Sequence, residues 1–225
     1  MIYQTSRPAY QALKRKLVEG ELPFGAPITV KVLESELGFS AIPIREALIA
    51  LAAEDLIDFY PGRGFFNKRL DAESIAMRLE FLQNLLLASA ATLPHGRKNL
   101  LRKRLLLDGV RLREPPHSIF ENVTLITDIL DTYFAHPTAI FTRTAIAQCA
   151  RYLVIDEQKH EPEGIIGEAA FSYLWLVSSR RPVPLTEKLG SFFEVRRKRL
   201  ADTIEAAKER DLLAGRPMVF SGAAF

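Results

Sequence analysis

Ile44, Ala47, Leu48, Leu51 and Ala52 recur at i, i+3, i+4, i+7 and i+8, a spacing that gathers them into one buried stripe of an α-helix. Ala41, Ile42, Arg45 and Ile49 fall on the opposite face. Pro43 marks the start of this helix, because a proline in the first turn forfeits only an N–H that has no intrahelical partner. Ser40 is then placed as N-cap, its hydroxyl accepting from a first-turn N–H. Upstream, Tyr10, Leu13 and Leu17 share one face of a helix over 7–19, with Lys14, Arg15 and Lys16 largely off it. "GELPFGAP" at 20–27 breaks that helix. Thr29 caps a shorter one through about Leu37, with Leu33 and Leu37 facing inward, and Gly38 ends it.

Past the third helix the period changes. Ile57 and Phe59 alternate with Asp58 and Tyr60, "PGRG" at 61–64 turns the chain, and "FFNKRL" returns as the partner strand. Three helices followed by a hairpin, with Arg63 presented at its turn between Gly62 and Gly64, make a winged helix-turn-helix over residues 1–70. From Asp71 the helical period takes over without a convincing strand. Helices are expected at about 72–92, 96–113, 117–135, 138–155, 163–180 and 186–213, separated by "LPHG", "EPPH", "AHP", "EPEG" and "RRPVP". The fold class is therefore mainly α, with the winged domain followed by an all-α bundle over 71–213 and a tail at 214–225.

Composition narrows the function classes. The 225 residues suffice for two domains, and a net charge of +3 permits a polyanionic partner without demanding one. One cysteine, Cys149, excludes an internal disulfide and is read as a small buried residue on an amphipathic helix. No run approaches the ~20 apolar residues of a membrane span, so a soluble, cytoplasmic protein without membrane partners is expected. An enzyme is not expected, since there is no Gly-rich phosphate loop, no nucleophile signature and no His/Asp/Glu set at ligand spacing.

Residues 10–66 resemble the DNA-binding half of the GntR family of bacterial transcription regulators. Tyr10 and Leu13, "GELPFG", "LESELGFSAIPIREAL" and "EDLIDFYPGRGFF" carry the resemblance, with "PIREAL" at 43–48 followed at fixed distance by "PGRG". The helical half resembles the FCD-type effector domain of the subclass named after the fatty-acid regulator FadR. The resemblance implies a homodimer that binds a pseudo-palindromic, double-stranded operator, the third helix in the major groove and the wing in the adjacent minor groove. It implies DNA contacts from Lys31, Ser40, Ala41, Ile42, Arg45, Arg63 and Gly64. An arginine fork on guanine O6 and N7 suits Arg45, and the flanking glycines suit Arg63 to a phosphate or minor-groove contact. Relatives commonly have a second arginine where this chain has Ala41; Ala41 and Ile42 suit a thymine methyl instead.

In such effector domains an Asp, a His four residues on, and two later histidines hold a divalent metal that captures anionic metabolites. Here Val123 and Thr127 stand at the first two of those positions, and the helices at 163–180 and 186–213 contain no histidine. No metal or other cofactor is expected. A metal-free pocket for a small effector, an organic acid among the candidates, would draw polar groups from Thr127, Arg143, Arg151 and Tyr173. The basic clusters "GRKNLLRKR" at 96–104 and "RRKR" at 196–199 read as solvated helix faces, with added phosphate contact as the sharper alternative. Two other readings compete with a ligand-responsive regulator: a winged-helix interaction or dimerisation module without an effector, and a metal-dependent helical hydrolase.

Overall fold

The computed structural model describes residues 3–113, 119–134, 136–161, 166–179 and 184–213, which group into two units. Of the described residues, the first unit holds those up to 71 together with 207–213, and the second holds those within 72–206. In chain order the first unit holds α1 (Tyr3–Val18), β1 (Pro27–Ile28), α2 (Val30–Leu37), α3 (Ala41–Ala53), β2 (Ile57–Tyr60) and β3 (Gly64–Asn67). The strands form an antiparallel sheet in the order β1-β3-β2.

The stripe expected on α3 is the centre of this unit's core. Ile44, Ala47, Leu48 and Leu51 are at most 1% exposed and pack with Leu13 and Leu17 of α1, Leu33 of α2 and Ile57 of β2. Burying such side chains is worth about 1.5–3 kcal/mol each. Gly38 ends α2 with φ 71°, a left-handed conformation that costs other residues strain, and its N–H bonds the Glu34 carbonyl at 3.0 Å. Tyr10 and Lys14 of α1 both bond the Glu54 carboxylate just past α3, at 2.6 and 3.3 Å, fixing α1 across the far end of α3. Lys16, expected off the core face, is held by Glu21 and Glu36.

Three local expectations need correction. Ser40 and Thr29 hold the extended N-cap backbone, but neither hydroxyl makes the capping hydrogen bond. Pro27, read as the end of a break, and Ile28 after it pair with Phe66 and Phe65 as β1; a two-residue strand is too short to show alternation and takes its geometry from a partner nearly forty residues away. The end of α10, expected in the helical domain, groups with the first unit. There the Asp211 carboxylate accepts the Phe24 N–H at 3.0 Å, and Arg210 donates to the Glu19 carbonyl at 3.1 Å.

The second unit contains α4 (Ala72–Thr92), α5 (His95–Arg113), α6 (Ile119–Tyr133), α7 (His136–His160), α8 (Ile166–Val177), α9 (Leu185–Lys198) and the first half of α10 (Leu200–Leu213). None of the helices described is long and apolar enough to cross a membrane. Its core includes Leu79, Leu82, Leu101, Leu130, Leu174 and Phe193, and the buried Ser89 and Thr142 hydroxyls bond each other at 2.7 Å. The single helix expected over 186–213 is two, divided at Arg199. No glycine or proline marks the division. Arg196, in the last turn of α9, and Arg199, at the division itself, both turn to the Asp156 and Glu161 carboxylates of and beside α7.

Cys149 is buried on α7, and desolvation pushes its thiol up to about 12. A folded-state pKa above the unfolded value of ~8.5 means that this group's stabilising effect is full at lower pH and is lost as pH rises toward 12. Urea unfolding of the wild type is therefore expected to lose free energy between pH 9 and 11 more steeply than that of Cys149→Ala. Equal slopes would contradict the burial.

Candidate nucleic-acid interface

With one face of α3 committed to the core, its other face is offered to solvent. Ile42 is 70% and Ile49 61% exposed; Arg45 lies between them at i+3 from Ile42, also exposed. Arg45 has no ion-pair or hydrogen-bond partner among the described residues, and neither has Lys31, exposed in the first turn of α2. An arginine that has not been neutralised by a neighbour keeps its planar five-donor fork available to an external acceptor. Ser40 is exposed and Ala41 half-buried at the N-terminal end of α3.

The wing is built by the β2–β3 hairpin, in which Tyr60 pairs with Gly64 and Phe59 with Phe65. Gly62 and Gly64 hold φ values of 76° and 94°, which a side chain would resist, and the Arg63 N–H closes the turn on the Tyr60 carbonyl at 2.9 Å. The exposed Arg63 guanidinium lies 5.8 Å from the Tyr60 ring and 5.7 Å from the Phe66 ring, so cation–π attraction biases its direction at the tip. At the base of the hairpin Lys68 joins Asp58 and Asp55. The three cationic groups that the resemblance assigns to DNA, Lys31, Arg45 and Arg63, thus all belong to the first unit and all are exposed, on α2, α3 and the wing.

The residues suggested for an effector pocket are not gathered into one site. Thr127 bonds the Thr124 carbonyl of its own helix at 2.9 Å, and Arg143 pairs with Asp131 at 2.9 Å. Arg151 is half-buried on α7. Tyr173 alone of the four lines a cavity of about 190 Å³ in the second unit, its hydroxyl donating to the Leu86 carbonyl at 2.9 Å. The donors for the metal that the resemblance implies do not fit: Val123 and Thr127 offer neither carboxylate nor imidazole, and no group of three His, Cys, Asp or Glu among the described residues is placed to hold a metal ion. His95 and His136 begin α5 and α7, His160 ends α7, and His117 lies outside the described residues.

Sequence reasoning also missed a buried charged cluster. Arg196, read as part of a solvated basic face, is 2% exposed; it reaches Glu161 at 2.8 Å and the fully buried Asp156 at 3.6 Å, over the Phe192 ring. Thr203 donates to Asp156 at 3.0 Å, and the Tyr152 hydroxyl to the Arg196 carbonyl at 2.7 Å. Burial raises the Asp156 carboxyl above the ordinary range, opposed by Thr203, Arg196, Arg199 and His160. With Arg196 buried and paired, its guanidinium offers no donors to a DNA phosphate. The other basic run follows its expected pattern, with Leu101 and Leu105 buried and Arg97, Lys103 and Arg104 exposed.

Residues 5–66 match the model of the bacterial regulatory proteins of the gntR family. A curated relative from Streptomyces ambofaciens, described as an uncharacterized HTH-type transcriptional regulator in an unstable DNA locus, is 36% identical over 70 residues, covering 31% of this chain and 30% of the relative. The match thus spans under a third of that protein's length. A solved structure from Rhodococcus sp. RHA1, described as that of a "putative transcriptional regulator GntR", shares the fold, with a TM-score of 0.57 at 15% identity over 88% of this chain and 97% of that one.

Proposed function

We propose that this chain, whose residues 5–66 carry the winged helix-turn-helix of the gntR family, is a bacterial transcription regulator that binds operator DNA sequence-specifically as a homodimer. One observation carries the reading: α3 buries a single stripe and leaves Ile42, Arg45 and Ile49 in an exposed row, with Arg45 unpaired among the described residues. An α-helix fits the major groove, its N-terminal residues approach base edges, and a guanidinium fork matches guanine O6 and N7. Arg45 is the base-reading group, Ala41 and Ile42 the apolar contacts beside it, and Lys31, Ser40, Arg63 and Gly64 the backbone contacts. The helical unit serves as an FCD-like dimerisation and effector domain, its ligand held without a metal. The chain acts by binding, not by catalysis.

Selection from random duplexes tests this directly. Full-length protein should enrich an inverted repeat carrying a guanine in each half-site; recovery of no shared sequence would remove the regulator reading in favour of an interaction module. The selected duplex then gives access to Ile42. Replacing the neighbouring thymines by deoxyuridine removes only their methyl groups, and a lost methyl contact of ~0.8 kcal/mol corresponds to roughly fourfold weaker binding. Ile42→Ala should bind both duplexes equally, so an undiminished thymine preference in that variant would exclude the contact.

A further inference from the structure

The cavity in the second unit has a chemical character that differs from an acid-binding pocket. It is bordered by α4, α6, α7, α8 and α9 and opens to solvent on one side, and its walls are formed by side chains such as Leu82, Leu130, Leu153, Leu174, Leu189 and Phe193. Among the described lining residues only Ser172, Tyr173 and Lys188 carry polar side-chain atoms. The Tyr173 hydroxyl is already bonded to the Leu86 carbonyl, and burial holds its phenol well above the usual range, so it stays protonated. Lys188 is exposed on α9 and has no ion-pair partner among the described residues.

These features set what the cavity can hold. A buried carboxylate needs hydrogen-bond donors or a cation around it, and burying an ion without them is costly. The hydrocarbon walls provide none, the Ser172 hydroxyl is a single neutral donor, and Lys188 offers one cation at the solvent edge. A cavity lined by Leu, Ile and Phe with a volume near 150 Å³ stays dry and accepts benzene. At about 190 Å³ this one has room for a single ring or a short chain.

We propose that the cavity binds a small hydrophobic molecule, one aromatic ring or a short aliphatic chain, with at most one anionic substituent left at Lys188. The hydrocarbon portion enters between α8 and α9, where Ala169 and Ala170 leave space that larger side chains would fill. Polyacids are excluded, because their second and third carboxylates would face leucine. As the effector of a DNA-binding regulator the ligand rests on the function proposed above; as an occupant of this cavity it does not, and the two are measured separately.

Thermal unfolding of the full chain, without DNA, is followed in the presence of toluene, benzoate or citrate. A ligand that binds only the folded state, at ten times its Kd, should raise the Tm by roughly 3–5 °C in a chain of this size. Toluene and benzoate are expected to do so and citrate is not. Lys188→Ala should lose most of the benzoate response and keep the toluene response. Ala170→Phe should remain folded by circular dichroism and lose both; Ala169→Leu serves the same purpose should Ala170→Phe not fold. The proposal is overturned by the absence of any toluene response, by an equal response in the filled variants, or by a citrate response as large as that of benzoate. A toluene or benzoate response that vanishes in the filled variants, with operator retention unchanged by ligand, upholds the cavity site and overturns its use as an effector site.

Discussion

Replacing Arg45 and Arg63 together by alanine should abolish specific operator retention while leaving the protein folded. Arg45 loses the fork that distinguishes guanine, which is worth about 1–3 kcal/mol per half-site, so a dimer reading two half-sites loses roughly 10²- to 10⁴-fold. Arg63 loses a contact that is the same for every sequence, which should weaken binding uniformly and lower the salt slope by about one per wing. The single variants therefore separate: Arg45→Ala relaxes sequence preference, and Arg63→Ala reduces affinity at constant preference. Both side chains are exposed, and surface substitutions of this kind usually change stability by no more than about 0.5 kcal/mol. Gel retention across a salt series, beside a urea unfolding curve, reads all of this. A double variant that still retains the operator would remove both residues from the interface.

Arg196→Ala should have the largest effect on stability. Asp156 is fully buried, and the substitution removes its nearest cation and one of the two arginines on Glu161, leaving Asp156, of basic groups among the described residues, only Arg199, a partly exposed arginine 3.8 Å away, and His160. Breaking a buried pair from one side typically costs about 3–5 kcal/mol, a large share of the stability of an ordinary domain. The pH dependence identifies the cause. Burial already raises the Asp156 carboxyl and Arg196 opposes that rise, so removing the arginine raises it further. An acid with a raised folded-state pKa contributes most at low pH and loses that contribution as pH climbs through the folded value. The deficit of the variant should accordingly be smaller at pH 5 than at pH 7. Asp156→Asn in the same background should recover part of it at pH 7, and a deficit independent of pH and of Asp156 would mean that Arg196 acts only by filling space over the Phe192 ring.

These two residues also show what a sequence can and cannot disclose. The environment of Arg45 follows from its own helix: once Ile44, Ala47, Leu48 and Leu51 are assigned to the core, geometry alone sends residue 45 outward. The Gly38 cap and the hairpin turn are local in the same sense, since a positive φ is a property of one residue. Arg196 is different. Its periodicity within "RRKR" fits a solvated face as well as a buried one, and only Asp156 and Glu161, some forty and thirty-five positions earlier, decide the matter. The division of the last helix at Arg199 and the pairing of Pro27–Ile28 with β3 share that dependence on distant partners. The cavity was hidden for a related reason: its leucines and isoleucines follow the same helical spacing as core residues, and a void is the absence of an atom that no spacing reports.

The helix on which Arg45 sits is held along its buried stripe by Leu13 and Leu17 of α1, Leu33 of α2 and Ile57 of β2, so the arginine is presented from a packed base. A base-reading role for it makes a demand on a single atom of the DNA. Binding should be measured for wild type and Arg45→Ala on the selected operator and on one in which the half-site guanines are 7-deazaguanine, which lacks only the N7 acceptor. The wild type should lose at least tenfold on the modified duplex, and Arg45→Ala should bind both duplexes equally. A loss of the same size in both proteins would contradict that role.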